Sequence, residues 1–205
     1  MNDLSYTVMD RLPGYTLNEL MYRRPELLEE HKIVISYQLG LHTAFSYVFG
    51  LRDGYQSNYV FDPVTRILTR IDKERFLELP PNPDKTLQPQ DPYTQEIASC
   101  ELSNLKYMHS FREGVDRNQV VDALKEGFMD KYDDIKNKKQ DLLQLVTHTR
   151  DTWLKLGPST DVQEYEKETQ KLASTVSFLV DQDPKRVWRR LVEAKREVDS
   201  RPETP

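Results

Sequence analysis

The chain has 205 residues, about one to one and a half domains by length, with 37% hydrophobic and 31% charged residues. That is polar beside the roughly 45–50% apolar usage of globular chains, yet 11 tyrosines and 7 phenylalanines supply large side chains for a core. The net charge of −5 excludes a general nucleic-acid binder, 7 glycines against 12 prolines exclude collagen-like and Gly-rich architectures, and the lone Cys100 excludes a disulfide framework or a multi-cysteine zinc site.

In chain order, the opening MNDLSYTVMD has neither a basic n-region nor a long apolar run, so it is not read as a signal peptide. No stretch of about 18 apolar residues exists to span a membrane. A cytoplasmic protein is expected, and a single cysteine suits a reducing compartment. Residues 5–9 form a short β-prone run, broken by a turn at Leu12-Pro13-Gly14. Thr16 with Glu19 three residues later has the pattern of a capping box. From His31 to Phe49, Ile33, Val34, Tyr37, Leu41, Ala44, Phe45 and Val48 follow a helical period, and Gly50 stops the helix. Tyr59–Phe61 and Arg66–Ile71 are β-prone, and Asp62-Pro63 starts the turn between them, so a hairpin is expected.

Five of the twelve prolines fall within the loop 80–93, read as an ordered surface loop or a linker. Beyond it the chain reads as helix. Val121, Leu124, Phe128, Tyr132 and Ile135 mark one face; Leu142, Leu145, Val146, Thr149, Trp153 and Leu156 mark another. After Gly157-Pro158, Val162, Tyr165, Thr169, Leu172, Val176 and Leu179 form a narrow stripe suited to a helical hairpin. Asp183-Pro184 has the form of an N-cap followed by Pro at the first helical position, and Val187, Leu191, Ala194 and Val198 line the last helix. Residues 200–205 are expected to fray.

The chemistry lies between residues 50 and 74. A long apolar helix delivers the chain to a loop containing Asp53, Asn58 stands where the first hairpin strand begins, and Asp72 where the second ends. Phosphoryl transfer needs a carboxylate near the attacking hydroxyl and hard oxygen ligands holding Mg²⁺ against the phosphates. Neighbouring strands lie only about 4.8 Å apart, so a hairpin can bring Asn58 and Asp72 together.

Arg52-Asp53 through Asn58 resembles the catalytic loop of the protein-kinase-like superfamily, and Ile71-Asp72 resembles its metal-binding Asp at a strand end. Tyr6 to Leu17 resembles the hinge after the last N-lobe strand, and the branch most similar is the phosphatidylinositol 3-/4-kinase-like one. The resemblance covers residues 5–78 and extends loosely over 94–156. It implies an α+β, predominantly helical fold, a kinase-like C-lobe with a short β-hairpin. Residues 1–79 would hold the hinge, catalytic loop and metal site, 80–93 the Pro-rich loop, 94–157 C-lobe helices and 158–205 a helical C-terminal extension.

It further implies ATP- and Mg²⁺-dependent phosphotransfer to a hydroxyl-bearing substrate, whether lipid, protein or small molecule. Asp53 would be catalytic, Asn58 and Asp72 would bind Mg²⁺, and Met9, Asp10, Arg11 and Leu12 would line the adenine slot. Arg52 and Glu74 would be accessory. The family's Phe-Gly after the metal Asp is Lys73-Glu74 here, and the family's Gly-rich loop and N-lobe Lys have no counterpart in residues 1–205. The expectation that follows is either a fragment lacking its N-lobe or a partner chain that supplies one. The alternative is a non-catalytic helical interaction module derived from a kinase C-lobe.

Asp53 and Asn58 are also ordinary turn and cap residues, and Asp72 could be an exposed strand end. The histidines, His31, His42, His109 and His148, have no zinc-site spacing. Cys100 has no catalytic surroundings and is read as structural. The last helix carries Lys185, Arg186, Arg189, Arg190, Lys195 and Arg196 beside Trp188, a solvated face or a surface for anionic lipid or a partner.

Overall fold

A computed structural model describes residues 12–71, 77–104, 117–156 and 162–201. It is predominantly helical with one small antiparallel sheet. Strand β1 (Tyr15–Thr16) leads into α1 (Leu17–Arg23) and the long α2 (Pro25–Phe49). A 3₁₀ turn at Gln56–Asn58 opens the hairpin of β2 (Tyr59–Asp62) and β3 (Ile67–Arg70). Then come α3 (Pro92–Glu101), α4 (Arg117–Asn137), α5 (Lys139–Leu156), α6 (Val162–Asp181) and α7 (Pro184–Asp199). The sheet order is β1-β2-β3, with Tyr15 opposite Phe61 and Tyr59 opposite Arg70.

Local chemistry sets the element ends. Thr16 Oγ1 accepts from the Glu19 amide at 3.1 Å while the Glu19 carboxylate accepts from the Thr16 amide at 2.9 Å, the reciprocal capping box. Asp183 caps α7 by accepting from the Lys185 amide at 3.0 Å, with Pro184 next. Asp62 turns the hairpin: its carboxylate accepts from the Val64 amide at 3.0 Å and the Thr65 hydroxyl at 2.7 Å. β3 is a sheet edge, and α2 covers it. The Gln38 side chain donates to the Arg66 carbonyl and accepts from the Leu68 amide, both at 2.7 Å, and His42 Nε2 bonds the Leu68 carbonyl at 3.1 Å. Side chains thus occupy backbone groups that would otherwise invite another strand.

One core runs through the chain, from Leu20, Ile35 and Leu39 past Tyr59 and Phe61 to Leu124, Phe128, Tyr132, Leu179 and Leu191. The interhelical faces expected for α4 and α7 are the buried ones except at two positions: Val120 takes the place of Val121, which is half-buried, and Val198 at the end of α7 is half-buried too. Leu145 of α5 departs from expectation: it is 60% exposed, because α5 packs chiefly along α6 rather than into the core. Gly40 of α2 and Gly127 of α4 let these helices touch backbone to backbone, since a Cβ on Gly127 would lie 1.9 Å from the Tyr37 carbonyl oxygen. The Pro-rich segment is ordered and pinned. Thr86 is buried, and the Arg190 guanidinium donates to its carbonyl at 2.5 Å. Among the described residues no helix is long and apolar enough to cross a membrane.

Candidate functional site

Helix α2 ends at Gly50, in the left-handed region at φ 60. Glycine is required twice there, for the backbone angle and for space, since a Cβ would meet the Glu78 backbone at 2.8 Å. The Leu77 amide donates to the Phe49 carbonyl at 3.0 Å, and the Glu78 amide to the Gly50 carbonyl at 3.1 Å. At the other end, the Ile71 amide donates to the Asn58 carbonyl at 2.9 Å. The described residues on both sides of 72–76 are therefore fastened to the loop 50–58.

Within that loop, Asp53 is left-handed at φ 73. Asp tolerates this region better than most side chains, yet the conformation costs on the order of 1 kcal/mol and persists only where surroundings enforce it. The enforcement is visible. The Asn58 side-chain amide donates to the Asp53 carbonyl at 2.8 Å. Arg70 Nη2 donates to the Arg52 carbonyl, and the Asn104 side-chain amide donates to the Gly54 carbonyl at 3.0 Å. Every carbonyl from 52 to 54 is thus held by a side chain.

Beneath the loop lies a buried ionic network. Arg70 from β3 and Glu101 from α3 pair at 2.7 Å, each side chain only 1% exposed. Ser46 Oγ donates to Glu101 Oε1 at 2.7 Å, the Tyr59 hydroxyl donates to Glu101 Oε2 at 2.6 Å, and Arg70 Nη1 donates to Ser46 Oγ at 2.9 Å. Burial first, then the adjacent Glu101 carboxylate, pushes the Tyr59 hydroxyl well above its ordinary range, so it stays a donor. Glu101 also presses on Gly54, where a Cβ would sit 2.3 Å from Oε1. Arg52 points elsewhere, pairing with Glu96 at 2.5 Å and Glu78 at 3.6 Å and lying 5.4 Å over the Tyr93 ring. Cys100 sits under the loop, 4% exposed. Burial raises its thiol pKa, opposed by hydrogen bonds to Tyr55 and the Asp53 backbone.

The structure brings Asp53 and Asn58 together in one turn and makes Arg52 an ion-paired strut. Leu12 is exposed at 43%, and Gly14 lies against Phe61 and Asp62, at the turn end of β2 opposite Asn58. Asp72, Glu74, Met9, Asp10 and Arg11 lie outside the described residues. Because the Asn58 amide nitrogen is engaged by Asp53, the orientation of the amide is fixed and its other end is an oxygen, which accepts from Ser57 Oγ at 3.2 Å. A hard oxygen on the strand start fits what Mg²⁺ takes from protein. Among the described residues, no three His, Cys, Asp or Glu side chains cluster as a metal site. Sequence reasoning missed Arg70, Glu101, Ser46 and Asn104, because partners 24 to 55 positions apart leave no spacing signal. No family model, curated protein or solved structure matches this chain.

Proposed function

We propose that the chain is an ATP- and Mg²⁺-dependent phosphotransferase of kinase-like C-lobe architecture acting on a hydroxyl-bearing substrate. One observation carries the reading. The loop holding Asp53 and Asn58 is anchored to the residues flanking 72–76, through Ile71 on Asn58 and Leu77 on Phe49. A left-handed Asp held by three side-chain clamps is a further support, since enforced backbone strain gathers at functional sites.

In this reading the Asp53 carboxylate orients the acceptor hydroxyl and receives its proton as the oxygen bonds to the γ-phosphorus. The bond to the β-phosphate oxygen breaks and ADP leaves. Mg²⁺, held by the Asn58 side-chain oxygen and the Asp72 carboxylate, would supply neutralisation of phosphate charge. In the same reading Met9 to Leu12 would meet the adenine, and Asn58 and Asp72 would meet the phosphates. Arg70 and Glu101 are positioning residues that hold the loop rigid, as catalysis by orientation demands.

The test is equilibrium dialysis of ATP with wild-type, Asp72→Ala and Asn58→Ala proteins, with and without Mg²⁺. Mg²⁺-dependent binding by wild type, lost in Asp72→Ala and weakened in Asn58→Ala, is expected. Binding unchanged in both variants overturns the assignment. A non-catalytic helical module would show no Mg²⁺-dependent binding in any of the three.

A further inference from the structure

We propose that the groove between α4 and α7 is a docking site for an acidic peptide segment of a partner protein. The groove has a volume of about 360 Å³. Lys125 stands on the α4 wall, and Lys185, Arg189 and Arg196 stand on α7, with Glu193 the one carboxylate among the lining residues. These four cations are exposed and form no ion pair with a carboxylate among the described residues. Two other cations of the same helix are already engaged. Arg190 is buried against the Thr86 carbonyl and Gln182, and Lys195 pairs with Asp199. A surplus of three positive charges in a concavity therefore has no internal counter-charge, in a chain whose net charge is −5.

The spacing selects the ligand. Lys185, Arg189 and Arg196 lie on one stripe of α7, and eleven residues of helix rise roughly 16 Å. An extended peptide of about five residues has that length, and its alternate side chains recur every ~6.7 Å. The Lys185-to-Arg189 step is about 6 Å. Acidic residues two positions apart would meet Lys185 and Arg189, and a third about three residues further on would meet Arg196, roughly 10 Å along the helix, with Lys125 closing from the opposite wall. Val192 and the edge of Trp188 give the groove an apolar floor on which aliphatic stems can lie.

A bilayer fits less well. No large hydrophobic side chain is exposed on α4 or α7 among the described residues, and the apolar face of α7, Val187, Leu191 and Ala194, is already in the core. Single-stranded nucleic acid asks for exposed aromatic faces on which bases stack, and Trp188 is 8% exposed and packed 5.3 Å from the Phe128 ring.

The experiment is fluorescence anisotropy of a labelled heptaglutamate peptide with the full chain over a salt series. Three variants accompany wild type: Arg189→Glu/Arg196→Glu on one wall, Lys125→Glu on the other, and Arg23→Glu/Lys167→Glu, on α1 and α6 outside the two groove helices, as a control whose charge change equals that of the double variant. Saturable, salt-weakened binding is expected. It should fall about tenfold or more in the Arg189→Glu/Arg196→Glu variant and several-fold in Lys125→Glu, with the control near wild type. All substituted side chains are exposed, so thermal melts should coincide. Absence of peptide binding by wild type overturns the proposal, as does equal weakening in the control. Preference of the same groove for phosphatidylserine vesicles, inorganic polyphosphate or a single-stranded oligonucleotide over the peptide overturns it as well.

Discussion

Removing the Glu101 carboxylate is the sharpest test of how the loop is held. In the native chain it accepts from Arg70, Ser46 and Tyr59, and both ends of the ion pair are shielded from water. Truncation leaves the Arg70 guanidinium in a desolvated site without this carboxylate and the Tyr59 hydroxyl without its acceptor. Breaking such a pair from one side costs about 3–5 kcal/mol, a large part of a total stability of about 5–15 kcal/mol. For a chain of this size that lowers Tm by about 10 °C. Urea unfolding of Glu101→Leu, Arg70→Met and the double variant Arg70→Met/Glu101→Leu gives the coupling directly, with Glu101→Ala measured beside them for the truncation cost. The double variant is expected to be more stable than either single one, because two apolar side chains leave no stranded charge. A cost below about 1 kcal/mol for Glu101→Ala, or additive single costs, would refute the reasoning.

Four further outcomes follow from the same geometry. Gly54→Ala drives a methyl to 2.3 Å from Glu101 Oε1 and is expected to cost about 1–3 kcal/mol in urea unfolding; a neutral effect would mean that the loop does not rest on Glu101. Thr16→Ala removes the capping box at the start of α1 and should cost about 1 kcal/mol, with Glu19→Gln costing less. Asp62 has its pKa lowered, first by the Thr65 hydroxyl and then by the Val64 amide. Its contribution is therefore present above the unfolded-state carboxylate range and lost as pH falls through the lower folded value, and a carbon-13 NMR titration midpoint at or above an ordinary Asp would contradict this. Cys100, buried and with a raised pKa, should react with iodoacetamide at pH 8 far more slowly folded than in urea; equal rates would contradict the burial.

How much was legible follows from how local each feature is. Thr16 with Glu19, Gly50, Asp62-Pro63 and Asp183-Pro184 could be read because each acts within four residues of itself. The predominantly helical α+β class was legible from periodicity for the same reason. Arg70 and Arg190 were not, because a charged side chain in isolation reads as surface. Their burial depends on Glu101, Thr86 and Gln182, brought in by folding. Arg190 in particular was counted with an exposed basic face and instead ties α7 to the Pro-rich segment. Gln38 and His42 fell within an expected helix, but their work on the β3 edge is a tertiary matter. Of the candidate site, Asp53 and Asn58 were legible as turn and cap residues of one loop, whereas the bond from Asn58 to the Asp53 carbonyl and the clamps from Arg70 and Asn104 were not.

We propose that this loop and hairpin end form a Mg²⁺-nucleotide site. Calorimetric titration of the 205-residue chain with ATP, once with Mg²⁺ and once with a chelator, tests it most directly. Saturable binding with Mg²⁺ is expected, weakening at least about tenfold, or 1.4 kcal/mol, without it. No binding at millimolar ATP, or equal affinity with and without the metal, would contradict it.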